Sequence, residues 1–287
     1  MLPVPRLAAG LLAASAGMIL AGCASPRAQP STAMNARLLE ETSLGTPREG
    51  EARPGDAIVR VWIGRGTCSG VLVSPSVVLT ARHCVMERSH GREIGEQPMV
   101  AGALHVELGG DYLPWGRISV TSVHACEPTA NEERDIAALV LARPVPWDVP
   151  ILSMASLSAE VDEGGPPARY RVVGFGSEIW PKSAGGITLE AKRRHGSSGS
   201  VKSTSDDTIT LFARTAHGDS GGAVIDLDSH ALVAVISRGD YARQVMGVRY
   251  EDLTIGARVD RCAAVVSGAL ARAGAPRVTE AVASAPR

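Results

Sequence analysis

Ser220 lies in the run Gly218, Asp219, Ser220, Gly221, Gly222, a small nucleophile among glycines whose backbone N–H groups can approach a reacting carbonyl. A serine hydroxyl attacks poorly until a neighbouring base takes its proton, so this chemistry asks for a histidine and for a carboxylate to orient it. Both stand upstream. His83 follows the apolar run Val77, Val78, Leu79, Thr80, Ala81 and precedes Cys84; Asp135 opens the run Ile136, Ala137, Ala138, Leu139. The chain order is His, Asp, Ser.

In this order and at this spacing the three blocks resemble those of the chymotrypsin/trypsin-like serine proteases. The resemblance covers about residues 57 to 272, dense at the three blocks and sparse between them. It implies a serine endopeptidase with polypeptide substrates, an acyl-enzyme intermediate, no cofactor and no metal. Ser220 would attack, His83 would accept the proton and return it to the leaving amine, and Asp135 would fix the imidazole. The N–H groups of Gly218 and Ser220 would form the oxyanion hole. Ser237, Arg238 and Gly239 match the strand that pairs with an incoming peptide, with Arg238 where an aromatic is usual.

The same match counts six residues back from Ser220 to put Arg214 at the base of the primary pocket, with Thr215 beside it and His217 at its rim. A guanidinium there fits an acidic side chain. An Arg214 turned to solvent, or paired with Asp206 or Asp207, leaves a small apolar pocket instead, which Thr254 narrows further. Ala216 replaces a cysteine found in many animal members. Members activated by cleavage expose an Ile-Val-Gly-Gly type terminus that pairs with the aspartate matching Asp219. No such tetrapeptide precedes Ala57, and cleavage after Arg37 or Arg48 would leave Leu38 or Glu49. Two other readings stand beside the endopeptidase: a latent trypsin-like fold serving as an envelope binding module, and an esterase for small acyl compounds. The intact triad favours turnover over binding, and the strand at Ser237 favours peptides over small esters.

These residues need strands and turns to hold them. Short β-rich runs bounded by turn residues recur at 57–63, 70–73, 77–80, 118–123, 136–141, 169–175, 208–212, 222–227 and 231–237, a pattern of antiparallel barrels. The resemblance makes this an all-β, chymotrypsin-like fold of two antiparallel six-stranded β-barrels with a C-terminal α-helix. The protease domain is placed at 56–272. Within it barrel 1 takes about 56–148 and barrel 2 about 166–257, divided by the connection holding Pro144, Pro146, Pro150, Gly164, Gly165, Pro166 and Pro167. Val259, Cys262, Ala263, Val266 and Leu270 fall on one helical face, which sets the terminal helix at 258–272. A flexible tail follows at 273–287.

The 287-residue chain is 3% aromatic and carries a net charge of −1, so its core is aliphatic and there is no electrostatic case for nucleic acid. The basic cluster Lys192, Arg193, Arg194, His195 reads as a solvated loop in a Gly/Ser-rich stretch. Arg6 and the apolar run from Leu7 to Ala21 form an export signal at 1–22. Leu20, Ala21, Gly22, Cys23 resembles the lipobox of bacterial lipoproteins. The protein is therefore expected in the cell envelope, held by lipid on Cys23 through a tether at 23–55, as an outer-membrane lipoprotein, or else secreted. Oligomeric state is not readable. Cys68, Cys84, Cys126 and Cys262 allow three pairings; the resemblance favours Cys68 with Cys84, leaving Cys126 with Cys262, and two free thiols are the alternative. No close Cys or His pair has zinc spacing, and Glu93, Glu96 and Asp111 match no compact calcium pattern. His90, His105, His124 and His230 stand singly and are assigned no role.

Overall fold

Runs such as Val77, Val78, Leu79 carry β-branched and aliphatic side chains at every position rather than at alternate ones, which suits strands covered on both faces. The computed structural model describes residues 57–274 apart from 65, 90–91, 110–113, 115, 130–133, 147–148, 158–168, 181–188, 193 and 246–247. The first half contains β1 (Ile58–Trp62), β2 (Thr67–Ser74), β3 (Val77–Thr80), β4 (Met86–Ser89), β5 (Arg92–Pro98), β6 (His105–Leu108), β7 (Gly116–Ala125) and β8 (Ala137–Leu141). The second contains β9 (Tyr170–Gly174), β10 (Ser177–Trp180), β11 (Leu189–Lys192), β12 (His195–Thr204), β13 (Thr208–Ala216), β14 (Ala223–Asp226), β15 (Leu232–Val245) and β16 (Val248–Arg258).

Among the described residues these close into two six-stranded barrels, ordered β1-β2-β3-β8-β7-β6 and β12-β13-β16-β15-β14-β9, with the hairpins β4-β5 and β10-β11 outside them. Every pairing within the barrels is antiparallel. The all-β, two-barrel fold expected from the sequence is what forms. β7 alternates buried and exposed residues over its first half, whereas every residue of β3 and β8 is buried, because a helix covers β8. That helix, α2 (Ala263–Gly274), follows a 3-10 turn at Val259–Cys262 and packs against β7 and β8 with Val266 and Ala269 inward. The α-helix thus begins later than expected, since residues 259–262 take the tighter 3-10 form, and it runs two residues past 272. A one-turn helix, α1 (Arg82–Val85), carries His83 out of β3.

One apolar cluster fills barrel 1 and crosses the seam through Val173, Phe175, Ala223 and Val235; a second, with Tyr170, Val172, Ile209 and Leu211, fills barrel 2. Buried Arg60 lays its guanidinium 4.5 Å from the Phe175 ring centroid. This lets a barrel 1 cation cross an apolar seam by facing an aromatic, while Glu107 balances it at 3.4 Å.

Within the barrels the strand reading missed β6, β12 and β16 and stopped β2, β7, β13 and β15 short, and outside them it missed β4, β5, β10 and β11. β12 (HGSSGSVKST) lacks apolar alternation, and β16 (VRYEDLTIGAR) carries it only in two short stretches that are out of phase, Val248 with Tyr250 and Leu253, Ile255 with Ala257; barrel closure pairs them. The basic cluster is accordingly corrected. Lys192 ends β11, and Arg194 and His195 are buried at 5% and 8% exposure as β12 opens. The export signal, Cys23, the tether and residues 275–287 lie outside the described residues.

Candidate active site

His83 enters the cleft from α1, and Asp135 from the approach to β8. The Asp135 carboxylate grips His83 twice: the His83 backbone N–H donates to Oδ1 at 2.8 Å, and ring Nδ1 lies 2.7 Å from Oδ2. Two bonds fix both the place and the tilt of the imidazole. From barrel 2 the Ser237 hydroxyl donates to the same Oδ2 at 2.6 Å. Burial pushes the Asp135 carboxyl up, but the His83 ring bond, the His83 charge, the Ser237 hydroxyl and the His83 N–H outweigh it and hold it below the ordinary value of 3.8. Asp135 is therefore an anion aimed at Nδ1, leaving Nε2 for the other side.

Ser220 borders the same cavity of about 310 Å³, which His83, Asp135, Thr215, His217, Ser237, Arg238 and Gly239 also line. Its hydroxyl donates to the Ser237 carbonyl at 3.3 Å rather than to His83, so the nucleophile-to-base bond is not made in this state. Gly218 and Gly221 take φ of 106° and 89°, values that side-chain-bearing residues rarely adopt. The His217 carbonyl accepts from Ser177 N–H at 3.0 Å. In a planar trans peptide the next N–H points the opposite way, so that bond aims the Gly218 N–H away from Ser177. The turn uses the N–H groups of Asp219, Gly221 and Gly222 internally or on Ile236, and among the described residues no backbone bond engages those of Gly218 and Ser220.

Three side chains support this turn, and the roles of two, Ser69 and His195, were not read from the sequence. Fully buried Ser69, on β2, accepts from Phe175 N–H at 2.8 Å and donates to the Gly218 carbonyl at 2.9 Å. Asp219, 1% exposed, takes N–H bonds from Gly176 at 2.6 Å and Ala216 at 2.8 Å. His195 brings Nε2 to 2.9 Å from Asp219 Oδ1. A hydroxyl inside the Cys68, Ser69, Gly70 run and a histidine in a basic cluster gave no sequence signal.

The structure corrects the pocket. Arg214 is exposed and does not line the cavity; Ala213 and Thr215 on either side are buried. Adjacent residues of a strand face opposite sides, so the residue six before Ser220 points outward from β13 while Thr215 points in. Its backbone exchanges bonds with the Ser197 hydroxyl. Asp207 instead pairs with Arg134 at 2.9 Å, and Asp206 receives Arg261. Behind Thr215, fully buried Thr254 places Oγ1 3.2 Å from Thr215 Oγ1 and 3.0 Å from the Ala213 carbonyl. Without a cysteine at Ala216, that wall is held by main-chain pairing of Ala216 with Tyr250.

Cys68 and Cys84 form a disulfide with Cα atoms 6.4 Å apart, tying β2 to α1; Cys126 and Cys262 form another at 6.0 Å, tying the end of β7 to the terminal 3-10 turn. No cluster of three metal-ligating side chains occurs among the described residues.

Comparison with known proteins is consistent with this geometry. The family model described as Trypsin matches residues 46–252. Among solved structures, a Glu endopeptidase in complex with MPD aligns at 18% identity over 77% of this chain and 93% of its own, with a TM-score of 0.54. Human heparin binding protein aligns at 19% identity over 79% and 97%, with a TM-score of 0.55. A scabies mite inactivated protease paralogue aligns at 17% identity over 76% and 96%, with a TM-score of 0.54. At these identities the likeness is one of fold. No curated protein sequence matched the chain.

Proposed function

We propose that this chain, which belongs to the trypsin family, is a serine endopeptidase that cleaves peptide bonds through an acyl-enzyme on Ser220. The observation that carries this reading is the two-point grip of Asp135 on His83, which leaves Nε2 as a base on the cleft side. On substrate entry the Ser220 hydroxyl turns from the Ser237 carbonyl to Nε2, a contact that often tightens only in the Michaelis complex. The attacking oxygen gives its proton to His83, and the imidazolium that forms faces the Asp135 anion. The carbonyl oxygen, now negative, takes the Gly218 and Ser220 N–H groups, each worth about 3 kcal/mol of transition-state stabilisation. His83 then protonates the leaving amine, and water repeats the sequence to release the acyl group.

The substrate lies along Ser237 to Gly239 as an added strand. Its P1 side chain meets the Thr215 hydroxyl, backed by Thr254. This supports small, uncharged P1 residues. The leader and Cys23 support export and lipid anchoring in a bacterial envelope; loss of membrane fractionation and of fatty-acid labelling in Cys23→Ser tests that part.

A second reading, a binding module without turnover, is favoured by the Ser220 hydroxyl resting on the Ser237 carbonyl. One experiment separates the two: labelling of the mature protein by a fluorophosphonate probe, with Ser220→Ala as control and the site found by peptide mapping. Label on Ser220 supports the endopeptidase. A folded wild type that takes no label refutes it in favour of the binding module.

A further inference from the structure

Asp219 is a carboxylate at 1% exposure, directly before the nucleophile. A charge at that depth persists only when opposite charge and hydrogen bonds meet it. Two backbone N–H groups, from Gly176 and Ala216, supply dipoles. Full charge comes from elsewhere. His195 Nε2 stands 2.9 Å from Oδ1, a contact that joins opposite charges when the imidazole is protonated. His195 is itself 8% exposed. A protonated imidazole there makes the pair neutral in sum, which lowers the cost of burying the carboxylate.

The local backbone is shaped around this contact. His195 opens β12 directly opposite Gly174 on β9. A Cβ at Gly174 would collide with the Asp219 carboxylate, and one at Gly176 would sit 2.7 Å from both of its oxygens. Two glycines and a histidine thus form the socket for one carboxylate. What that socket holds is the turn itself: Asp219 N–H bonds the Ala216 carbonyl and Gly222 N–H bonds the Asp219 carbonyl. Gly218 and Ser220, the two oxyanion donors, flank Asp219 on either side.

We infer that His195 is the internal counter-ion of Asp219 and a positioning residue of the oxyanion turn, an inference that rests on the endopeptidase reading. It acts through Asp219, not on substrate. Because the cation comes from β12, inside barrel 2, the working shape of the turn does not depend on a new chain terminus released by cleavage ahead of Ala57. This answers the missing Ile-Val-Gly-Gly signal: the socket for a terminal ammonium is already filled by a side chain.

The test compares mature wild type with His195→Gln, His195→Lys and His195→Arg, and with a chain carrying Arg37→Gln, Arg48→Gln and Arg53→Gln that lacks basic cleavage points in the preceding segment. Turnover of a peptide amide is measured per active site, alongside urea unfolding. Expected is a fall in kcat of about a hundredfold or more for His195→Gln with KM changed less than about threefold, the range for a lost oxyanion donor. At least one cationic variant should regain tenfold or more of that loss. The triple arginine variant should turn over as wild type does. A His195→Gln that loses stability yet keeps kcat within threefold would show a purely structural contact and overturn the inference. So would a triple arginine variant without turnover, since cleavage would then be needed. If His195→Gln fails to fold, the cationic variants decide: one that folds with wild-type kcat supports the counter-ion role, and two that fold with kcat as low as Ser220→Ala refute it. A wild type without turnover or label refutes the endopeptidase reading separately. A double-mutant cycle of His195→Gln with Asp219→Asn in urea then decides the pair: coupling supports the counter-ion, and additivity overturns it.

Discussion

Replacing Ser69 with alanine removes one oxygen that joins three segments. In the folded protein that oxygen accepts from Phe175 N–H at 2.8 Å and donates to the Gly218 carbonyl at 2.9 Å, with no solvent access. Neither partner can turn to water, so Ser69→Ala leaves one donor and one acceptor unmatched, at a combined cost of about 2 to 4 kcal/mol in folding stability. Part of that cost is relieved if the Gly218 peptide rotates, and rotation withdraws its N–H from the oxyanion position. If about 2 kcal/mol of restraint is lost there, kcat falls about 30-fold, at 1.36 kcal/mol per decade. KM should stay within about twofold, because substrate binding along Ser237 to Gly239 does not involve Ser69. The assay is peptide-amide turnover normalised by active-site titration, with urea unfolding on the same samples. A variant that loses 2 kcal/mol or more of stability while kcat per active site stays within threefold would refute the reasoning, since Gly218 would then keep its aim without Ser69.

Asp135 titrates below its ordinary value in the fold, so its ionised form adds stability that is complete above the ordinary carboxylate range and is lost as pH falls through the folded value. The stability gap between wild type and Asp135→Asn should be widest near neutrality and shrink below about pH 4; a gap independent of pH in urea titrations at pH 7, 5 and 3 would contradict this. The two disulfides close loops with sequence separations of 136 and 16. In the chain-entropy account Cys126→Ser with Cys262→Ser should therefore cost about 2 kcal/mol more than Cys68→Ser with Cys84→Ser, and equal losses would count against it. Arg214→Ala should leave the P1 profile and kcat/KM within about twofold, since its side chain faces away from the cavity. A tenfold loss confined to acidic P1 substrates would restore the guanidinium to the pocket.

His83, Asp135, Ser220 and Ser237 were legible because each is announced by its own neighbours: an apolar strand, a glycine turn, a serine before Arg238 and Gly239. β3 was readable to the residue for the same reason, as Val77 to Thr80 forms an uninterrupted buried strand. Arg214 was misplaced because a count along the chain fixes position but not face, and on a strand one residue separates inside from outside. Ser69 and His195 were invisible for a different reason. Ser69 meets Gly218 across 149 residues, and neither a lone serine beside a cysteine nor a histidine after arginines carries local information about so distant a partner. The same holds for β12, whose polar sequence becomes a strand only when a barrel offers it neighbours.

The seam between the barrels is stitched at the nucleophile. Ser69 N–H bonds the Ser220 carbonyl at 2.8 Å, Gly221 lies so close to β2 and β3 that a Cβ there would meet the Ser69 carbonyl and the Thr80 hydroxyl, and Ser237 reaches across to Asp135. Rocking one barrel against the other would tear the very bonds that shape the turn. On the endopeptidase reading proposed above, the cleft therefore has no jaw that could gape to take in a folded partner and then close. A substrate on that reading would come to it already unravelled, as a loop tip, a frayed end or a chain in transit, supple enough to lie flat as one more strand along Ser237 to Gly239.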